Sequence, residues 1–306
     1  MKIATMATGG IGGYLAVRLG LAGHQVATIA RGDHLKAIRE KGLLLNGHAE
    51  DETCEPWIAT DNPAEVGEVD AIIFGVKGDG LEAAAKACLP MIGANTIVVP
   101  FLNGVEASDR LCKILPAENV GNGVAKVSTT IAAPGVIKQT GEFNSFVFAE
   151  RDSRPSTRVD ALREAINAAG ATAPHTDDID QELWLKFILF SAVSGVTAAA
   201  RCTMGDVREN PELSKLYQSI VAETATLARA CQIDLPDDVE EKIWLAAQRF
   251  PAAMRASTAI DLEQGRPLET EWISGAVYRL SREKGLDAPY NQTVYSILSP
   301  FRHGRP

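Results

Sequence analysis

Residues 6 to 20 read MATGGIGGYLAVRLG, and the fold depends on whether this stretch is a nucleotide-binding turn or only a glycine-rich start to a helix. A dinucleotide fingerprint joins a strand to a helix through three spaced glycines. One makes the tight turn, one lets the pyrophosphate approach the backbone, and one lets helix and strand pack closely. Gly9 and Gly12 occupy the second and third positions, while Ala7 stands where the first glycine belongs. If that position needs glycine-like angles, the methyl group costs around 1 kcal/mol, and it is small enough for the turn to survive. The context is right: KIATM (2 to 6) supplies a strand and IGGYLAVRLGLAG (11 to 23) a helix. The backbone groups of Ala7, Thr8, Gly9, Gly10, Ile11 and Gly12 are therefore the candidate pyrophosphate ligands, at a helix N-terminus that favours negative charge. About 20 residues on, an NAD-preferring fold places an acidic residue against the ribose. Here Arg31 ends the apolar run VATIA, and its fork suits a 2′-phosphate, so NADPH is expected over NADH. Asp33 reads as the N-cap of HLKAIREKG.

Working outward, short apolar runs alternate with helical stretches. QVATIA (25 to 30), DAIIFGVK (70 to 77) and NTIVVPFLN (95 to 103) have strand length and the continuous apolar character of strands covered on both faces. Between them lie helical patterns over 33 to 42, 80 to 92 and 104 to 115. This βαβα order predicts a doubly wound, Rossmann-like parallel sheet. From 124 to 150, Thr/Val/Ile stretches broken by Pro-Gly and Gly predict hairpin-like strands extending that sheet. A helix at 155 to 169 and a last short strand near 171 to 175 follow. Beyond HTDDID (175 to 180) strand signals vanish, and helices with breaks at RENPEL, IDLPDD and EQGRP take over. The reading is an N-terminal dinucleotide domain, residues 1–176, and an all-helical C-terminal domain, residues 177–306.

Composition limits the function. Hydrophobic residues at 46% and charged residues at 23% give ample material for two cores and exclude a disordered chain. A net charge of −9 argues against a nucleic-acid partner, whose footprint is basic. The run FILFSAVSGVTAAA (187 to 200), closed by Lys186 and Arg201, falls short of the roughly 20 apolar residues of a membrane span, and no secretory signal is visible. Five scattered cysteines without a C-x-x-C pair fit reduced thiols, so a cytoplasmic location without membrane association is expected. The dispersed histidines, among them His34, suggest structural roles, and no metal site is expected. The sequon at 291 to 293 is formal only. A homodimer is expected on the general prevalence of such assemblies.

Three polar residues stand out further along. Lys77 and Asn103 each lie just beyond the carboxyl end of a predicted parallel strand, where open α/β sheets bind ligands. Lys186 interrupts the apolar helix ELWLKFILFSAV, either snorkelling to water or serving as a proton donor at a cleft. Ser257 in RASTAID and Glu269 in PLETEWISG are polar candidates for the same cleft, which sequence spacing alone cannot assemble.

With these stretches in order, IGGYLA, ARGDHLKAIREKGL, GVK, LNGV, LWLKF and RASTAIDLEQGRPLETEWISG, the chain resembles the ketopantoate reductase (2-dehydropantoate 2-reductase) family over essentially its whole length. The resemblance implies a dinucleotide domain followed by a helical domain, and a reductase of pantothenate biosynthesis. It implies that Lys186 is the catalytic acid, that Glu269 contacts the substrate or positions the lysine, and that Ser257 binds the substrate. It places Lys77 and Asn103 on the nicotinamide side, with Asn103 also within reach of substrate. NADPH would deliver hydride to C2 of a small 2-oxo acid, best ketopantoate, as Lys186 protonates the carbonyl oxygen. Where family members acting on ketopantoate carry asparagines one and two turns after the lysine, this chain has Phe190 and Ser194. Phe190 cannot make amide bonds and Ser194 could do so at shorter reach, so a different 2-oxo substrate is the alternative. A non-catalytic NADP-binding redox sensor would need neither Lys186 nor Glu269.

Overall fold

The computed structural model describes residues 1–48 and 50–305. Contacts divide the chain into two compact units, Met1–Leu102 with Glu106–Glu182, and Asn103–Val105 with Leu183–Pro306. The expected division after residue 176 thus falls a few residues inside the first unit. Side-chain bonds hold that segment there: Asn122 donates to Asp180 at 2.7 Å, Lys126 pairs with Glu182 at 3.0 Å, and the Ile179 amide donates to Ser153 at 2.9 Å.

The first unit is built on a parallel sheet of β1 (Lys2–Met6), β2 (Gln25–Ile29), β5 (Ile58–Thr60), β6 (Val69–Phe74) and β7 (Ile92–Pro100). Its order is β5-β2-β1-β6-β7, so the direction of winding reverses at β1. Helices α1 (Gly10–Leu21), α2 (Gly32–Lys41), α3 (Leu81–Cys88) and α4 (Ala107–Leu111) connect the strands, as a doubly wound fold requires. The expected helices at 80 to 92 and 104 to 115 are shorter than their apolar patterns. The first gives way to a tight 3-10 turn at Leu89–Met91, where Pro90 removes an amide donor.

The later strands do not extend this sheet. β8 (Gly121–Ala133) and β9 (Val136–Glu150) pair antiparallel and join β3 (Leu43–Asn46) and β4 (Asp51–Cys54) in a second sheet, ordered β4-β3-β9-β8. Among the described residues, continuity with the first sheet is reduced to one bridge, Val98 to Val120. The expected last strand near 171 to 175 is likewise one bridge, Ser145 to Thr172, after α5 (Thr157–Ala168).

The opening stretch explains how the layers fit. Tyr14, Leu15, Ala16, Val17 and Leu19 of α1 are all buried. A Cβ on Gly13 would lie 2.5 Å from the Ile137 side chain, and one on Gly20 would lie 2.2 Å from Cys54 Sγ. These two glycines therefore serve the packing of α1 against the second sheet and not a ligand. Phe101 meets Phe146 and Phe148 edge-on, at 5.4 and 6.0 Å between ring centres, in the same core.

The second unit is helical. Its central helix α6 (Ile179–Ala199) begins in the first unit's last residues and is followed by α7 (Met204–Glu209), α8 (Pro211–Ala230), α9 (Val239–Gln248), α10 (Ser257–Glu263), α11 (Ser274–Glu283) and α12 (Pro289–Leu298). The predicted break at RENPEL is a cap: Asn210 accepts from the amides of Glu212 and Leu213, and Pro211 opens α8. At 21 residues, α6 is longer than the apolar run read from the sequence, so length alone does not exclude a span. About two-thirds of its most apolar window is buried within the protein, and Phe187, Ile188, Val193 and Val196 lie in the unit's core. Asn291 of the formal sequon is fully buried and donates to Glu223 at 2.7 Å.

Candidate active site

Two groups of residues carry chemistry, one in each unit. In the first unit the carboxyl ends of β1 and β6 flank the point where the sheet order reverses, and the glycine turn and Lys77 follow them. Ala7 has φ +60°, in the left-handed region, so the position does demand glycine-like angles and the alanine bears a cost of about 1 kcal/mol. The Gly9 amide donates to the Ala7 carbonyl at 2.7 Å and closes the turn. α1 starts at Gly10, and its first amides have no partner within the helix.

The glycines of the turn serve different neighbours. A Cβ on Gly12 would lie 2.9 Å from the Ala7 carbonyl oxygen and 3.4 Å from Thr5 Cβ, the expected close approach of helix and strand. One on Gly10 would lie 2.5 Å from the Thr129 carbonyl oxygen. On Gly9 the nearest protein atom would be 3.7 Å away, so no protein atom requires that glycine. Its bare backbone suits a ligand that must come close, and the turn fits a dinucleotide's pyrophosphate. Thr8 is buried, with its hydroxyl 2.9 Å from that of Thr5, its N–H given to the Ile29 carbonyl at 2.8 Å and its carbonyl 2.9 Å from His34 Nε2, so the expected backbone contact from Thr8 to a pyrophosphate is replaced by bonds that hold the turn. Arg31 is exposed and is itself the N-cap residue of α2, two residues before the expected cap Asp33, which lies in the helix's first turn. Lys77 is exposed at the N-cap of a short 3-10 turn, Gly78–Gly80.

In the second unit the structure brings together three residues that sequence spacing could not. Lys186 Nζ donates to Asn103 Oδ1 at 3.2 Å, and Asn103 Nδ2 donates to Glu269 Oε2 at 3.0 Å. The amide orientation is dictated by its neighbours. Turned over, it would set its NH₂ against an ammonium and its oxygen against a carboxylate. Gly104 makes the arrangement possible: its φ is +94°, and a Cβ there would lie 2.7 Å from the Trp272 carbonyl oxygen. The segment 103–105 therefore presses against the turn Thr270–Trp272, whose N-cap is Glu269. Sequence reasoning passed over Gly104, although an Asn-Gly pair after a strand signals a positive φ.

Lys186 does not simply snorkel. Its ammonium also lies 5.2 Å from the centre of the Phe190 ring, one turn along α6, at cation–π distance. Ser194, a further turn on, is buried and gives its hydroxyl to Thr258 at 2.6 Å. The expected role of Ser194 as a short substitute for an amide toward substrate is thus replaced by a core hydrogen bond. That bond, with the Ala256 amide donating to Thr197 at 3.3 Å, pins the start of α10 to α6 and leaves Ser257 exposed beside it. Thr258, the neighbour of Ser257, is thus bonded to α6 at Ser194, two turns or about 12 Å along the helix from Lys186 at 1.5 Å per residue.

A switch-point glycine turn on a parallel sheet, and a lysine held by an amide that a carboxylate in turn fixes on a helical unit, define a class: the NAD(P)-dependent oxidoreductases. The chain belongs to the ketopantoate reductase family. A family profile described as "Ketopantoate reductase PanE/ApbA" matches residues 3–153, and its C-terminal counterpart matches 178–302. A 2-dehydropantoate 2-reductase of Mesorhizobium japonicum is 29% identical over 97% of both chains. The crystal structure of 2-dehydropantoate 2-reductase from Porphyromonas gingivalis W83 is 31% identical, covers 98% of this chain and 99% of its own, and superposes with a TM-score of 0.86. D-mandelate dehydrogenase, in a ternary structure with NADH and anilino(oxo)acetate, is 25% identical over 99% of this chain and 98% of its own, with a TM-score of 0.88.

Proposed function

We propose that the protein reduces a 2-oxo acid to the 2-hydroxy acid with NADPH, and that 2-dehydropantoate (ketopantoate), giving pantoate, is the first substrate to test. The observation that carries this reading is the chain from Lys186 through Asn103 to Glu269. A bound nicotinamide cofactor supplies a hydride for C2 of the acid. The negative charge then developing on the carbonyl oxygen needs a positioned proton donor, and Lys186 Nζ is that donor. Asn103 Oδ1 aims the ammonium, and Glu269 fixes the amide that does the aiming. As the proton leaves, the lysine becomes a neutral amine that Asn103 can still hold through an N–H. Ser257, exposed at the start of α10, is assigned to the substrate end, and Lys77 to the nicotinamide side. Arg31, two residues beyond β2, supports NADPH over NADH, since its guanidinium can pair with a 2′-phosphate. A cytoplasmic location fits the five free thiols, and a homodimer completes the reading.

Phe190 favours a second substrate class. An apolar ring 5.2 Å from the proton donor offers a substrate hydroxyl no partner and offers an apolar or aryl group a packing surface. D-mandelate dehydrogenase, with its bound anilino(oxo)acetate, shows an aryl 2-oxo compound on the same fold. The test is NADPH oxidation by the purified protein with ketopantoate beside aliphatic and aryl 2-oxo acids, for the wild type and Phe190→Asn. The substitution should move the ratio of kcat/KM toward the hydroxylated acid by at least about ten-fold, the size of one polar group's discrimination. A ratio that does not move would remove Phe190 as the selector. A wild type inactive on every acid would remove the reductase reading itself.

A further inference from the structure

His34, in the first turn of α2, uses both ring nitrogens on backbone groups. Its Nδ1 lies 2.9 Å from the Gly135 amide nitrogen, and its Nε2 lies 2.9 Å from the Thr8 carbonyl oxygen. An amide N–H can only donate, so Nδ1 is the acceptor. Nε2 then carries the proton and donates to Thr8. The far end of this strut is fixed. Gly135, in the turn joining β8 to β9, accepts through its carbonyl from the Leu44 amide at 2.9 Å, and a Cβ on it would lie 2.9 Å from Ala37 Cβ.

The near end lies in the nucleotide turn. The peptides on both sides of Thr8 are gripped, since its N–H donates to the Ile29 carbonyl at 2.8 Å while its carbonyl accepts from His34. Immediately before it stands Ala7, held at φ +60° where glycine would be at ease. We propose that His34 is a positioning residue for the cofactor: it holds the Thr8 carbonyl, and with it the left-handed Ala7, so that the first amides of α1 face the pyrophosphate. This rests on the dinucleotide reading of the turn. It accounts for how an alanine is tolerated there, because the bonds around Thr8 impose the conformation that the side chain at position 7 disfavours.

The two ring nitrogens can be separated by substitution. His34→Gln places a donor near Nε2 and can keep the Thr8 bond, whereas His34→Asn places its amide near Nδ1 and can keep only the Gly135 bond. NADPH affinity of the full chain, measured by calorimetry without substrate, should fall by about ten-fold or more in His34→Asn, the worth of one well-placed hydrogen bond. It should stay within about three-fold of wild type in His34→Gln. Adding Ala7→Gly to His34→Asn should recover part of the loss, because glycine does not need the conformation imposed. Long-range proton–nitrogen spectra of the cofactor-free protein should show His34 as the Nε2–H tautomer. Wild-type affinity in His34→Asn would overturn the proposal. So would equal losses in both variants accompanied by equal falls in the cofactor-free melting temperature, which would mark His34 as packing only. A wild type that binds neither NADPH nor NADH would overturn the dinucleotide reading, and this inference with it.

Discussion

Asn103 can play its part in only one orientation, and that single side chain converts a lysine and a glutamate into one device. Its oxygen faces Lys186 and its NH₂ faces Glu269. At this scale Arg31 makes the cofactor testable. Arg31→Ala should lower the kcat/KM preference for NADPH over NADH by at least ten-fold, roughly the value of one charge-assisted contact to phosphate, with NADH turnover nearly unchanged. An unaltered preference in parallel assays would assign the arginine to the surface alone. Some of this chemistry was legible in the sequence: a lysine inside LWLKFILF is so costly to bury that it needs a partner. The fate of Ser194 was not legible, because its hydroxyl is taken by Thr258, and which helix face a distant loop will cover is not written in local spacing.

At the scale of elements, glycines fix how segments approach one another. Gly104→Ala adds a Cβ 2.7 Å from the Trp272 carbonyl at a φ of +94°. It should cost at least about 1 kcal/mol of stability and, by shifting Asn103 off Glu269, should reduce kcat more than KM. Thermal melts and steady-state kinetics on one preparation check both. The junction of β9 with α5 gives a pH signature. Burial alone would raise the Glu150 carboxyl, but bonds from Arg158 and Ser156 outweigh it and hold the group below the ordinary carboxylate range. A carboxyl depressed in the folded state stabilises fully above its unfolded value, about 4.3, and loses that contribution as pH falls through the folded value. Glu150→Gln should therefore cost about 2 kcal/mol near neutrality, and the gap from wild type should narrow in acid. Denaturant titrations across pH would show it, and a gap independent of pH would contradict the sign. The elements of the first sheet were readable because strands covered on both faces are continuously apolar. The second sheet was not separated from the first, because β3 and β4 are short and nothing local in β8 and β9 says which sheet edge they will join.

At the scale of the molecule, the change of texture near residue 176 reported two units, since parallel strands and helical bundles use different periodicities. It could not report that Asn103–Val105 belong with the helical unit, because that membership comes from contacts made more than 160 residues later in the chain, such as Asn103 to Glu269. In the proposed 2-oxo acid reduction, the lysine held by this long-range contact delivers the proton. The most direct measurement is NADPH oxidation with the best 2-oxo acid of the panel, comparing wild type with Lys186→Ala, alongside NADPH affinity measured without substrate. The account predicts that kcat falls by at least about a hundred-fold, the lower range for a general acid, while NADPH affinity stays within a few-fold of wild type. Turnover close to wild type, or a matching collapse of NADPH affinity, would contradict it and return Lys186 to a structural role.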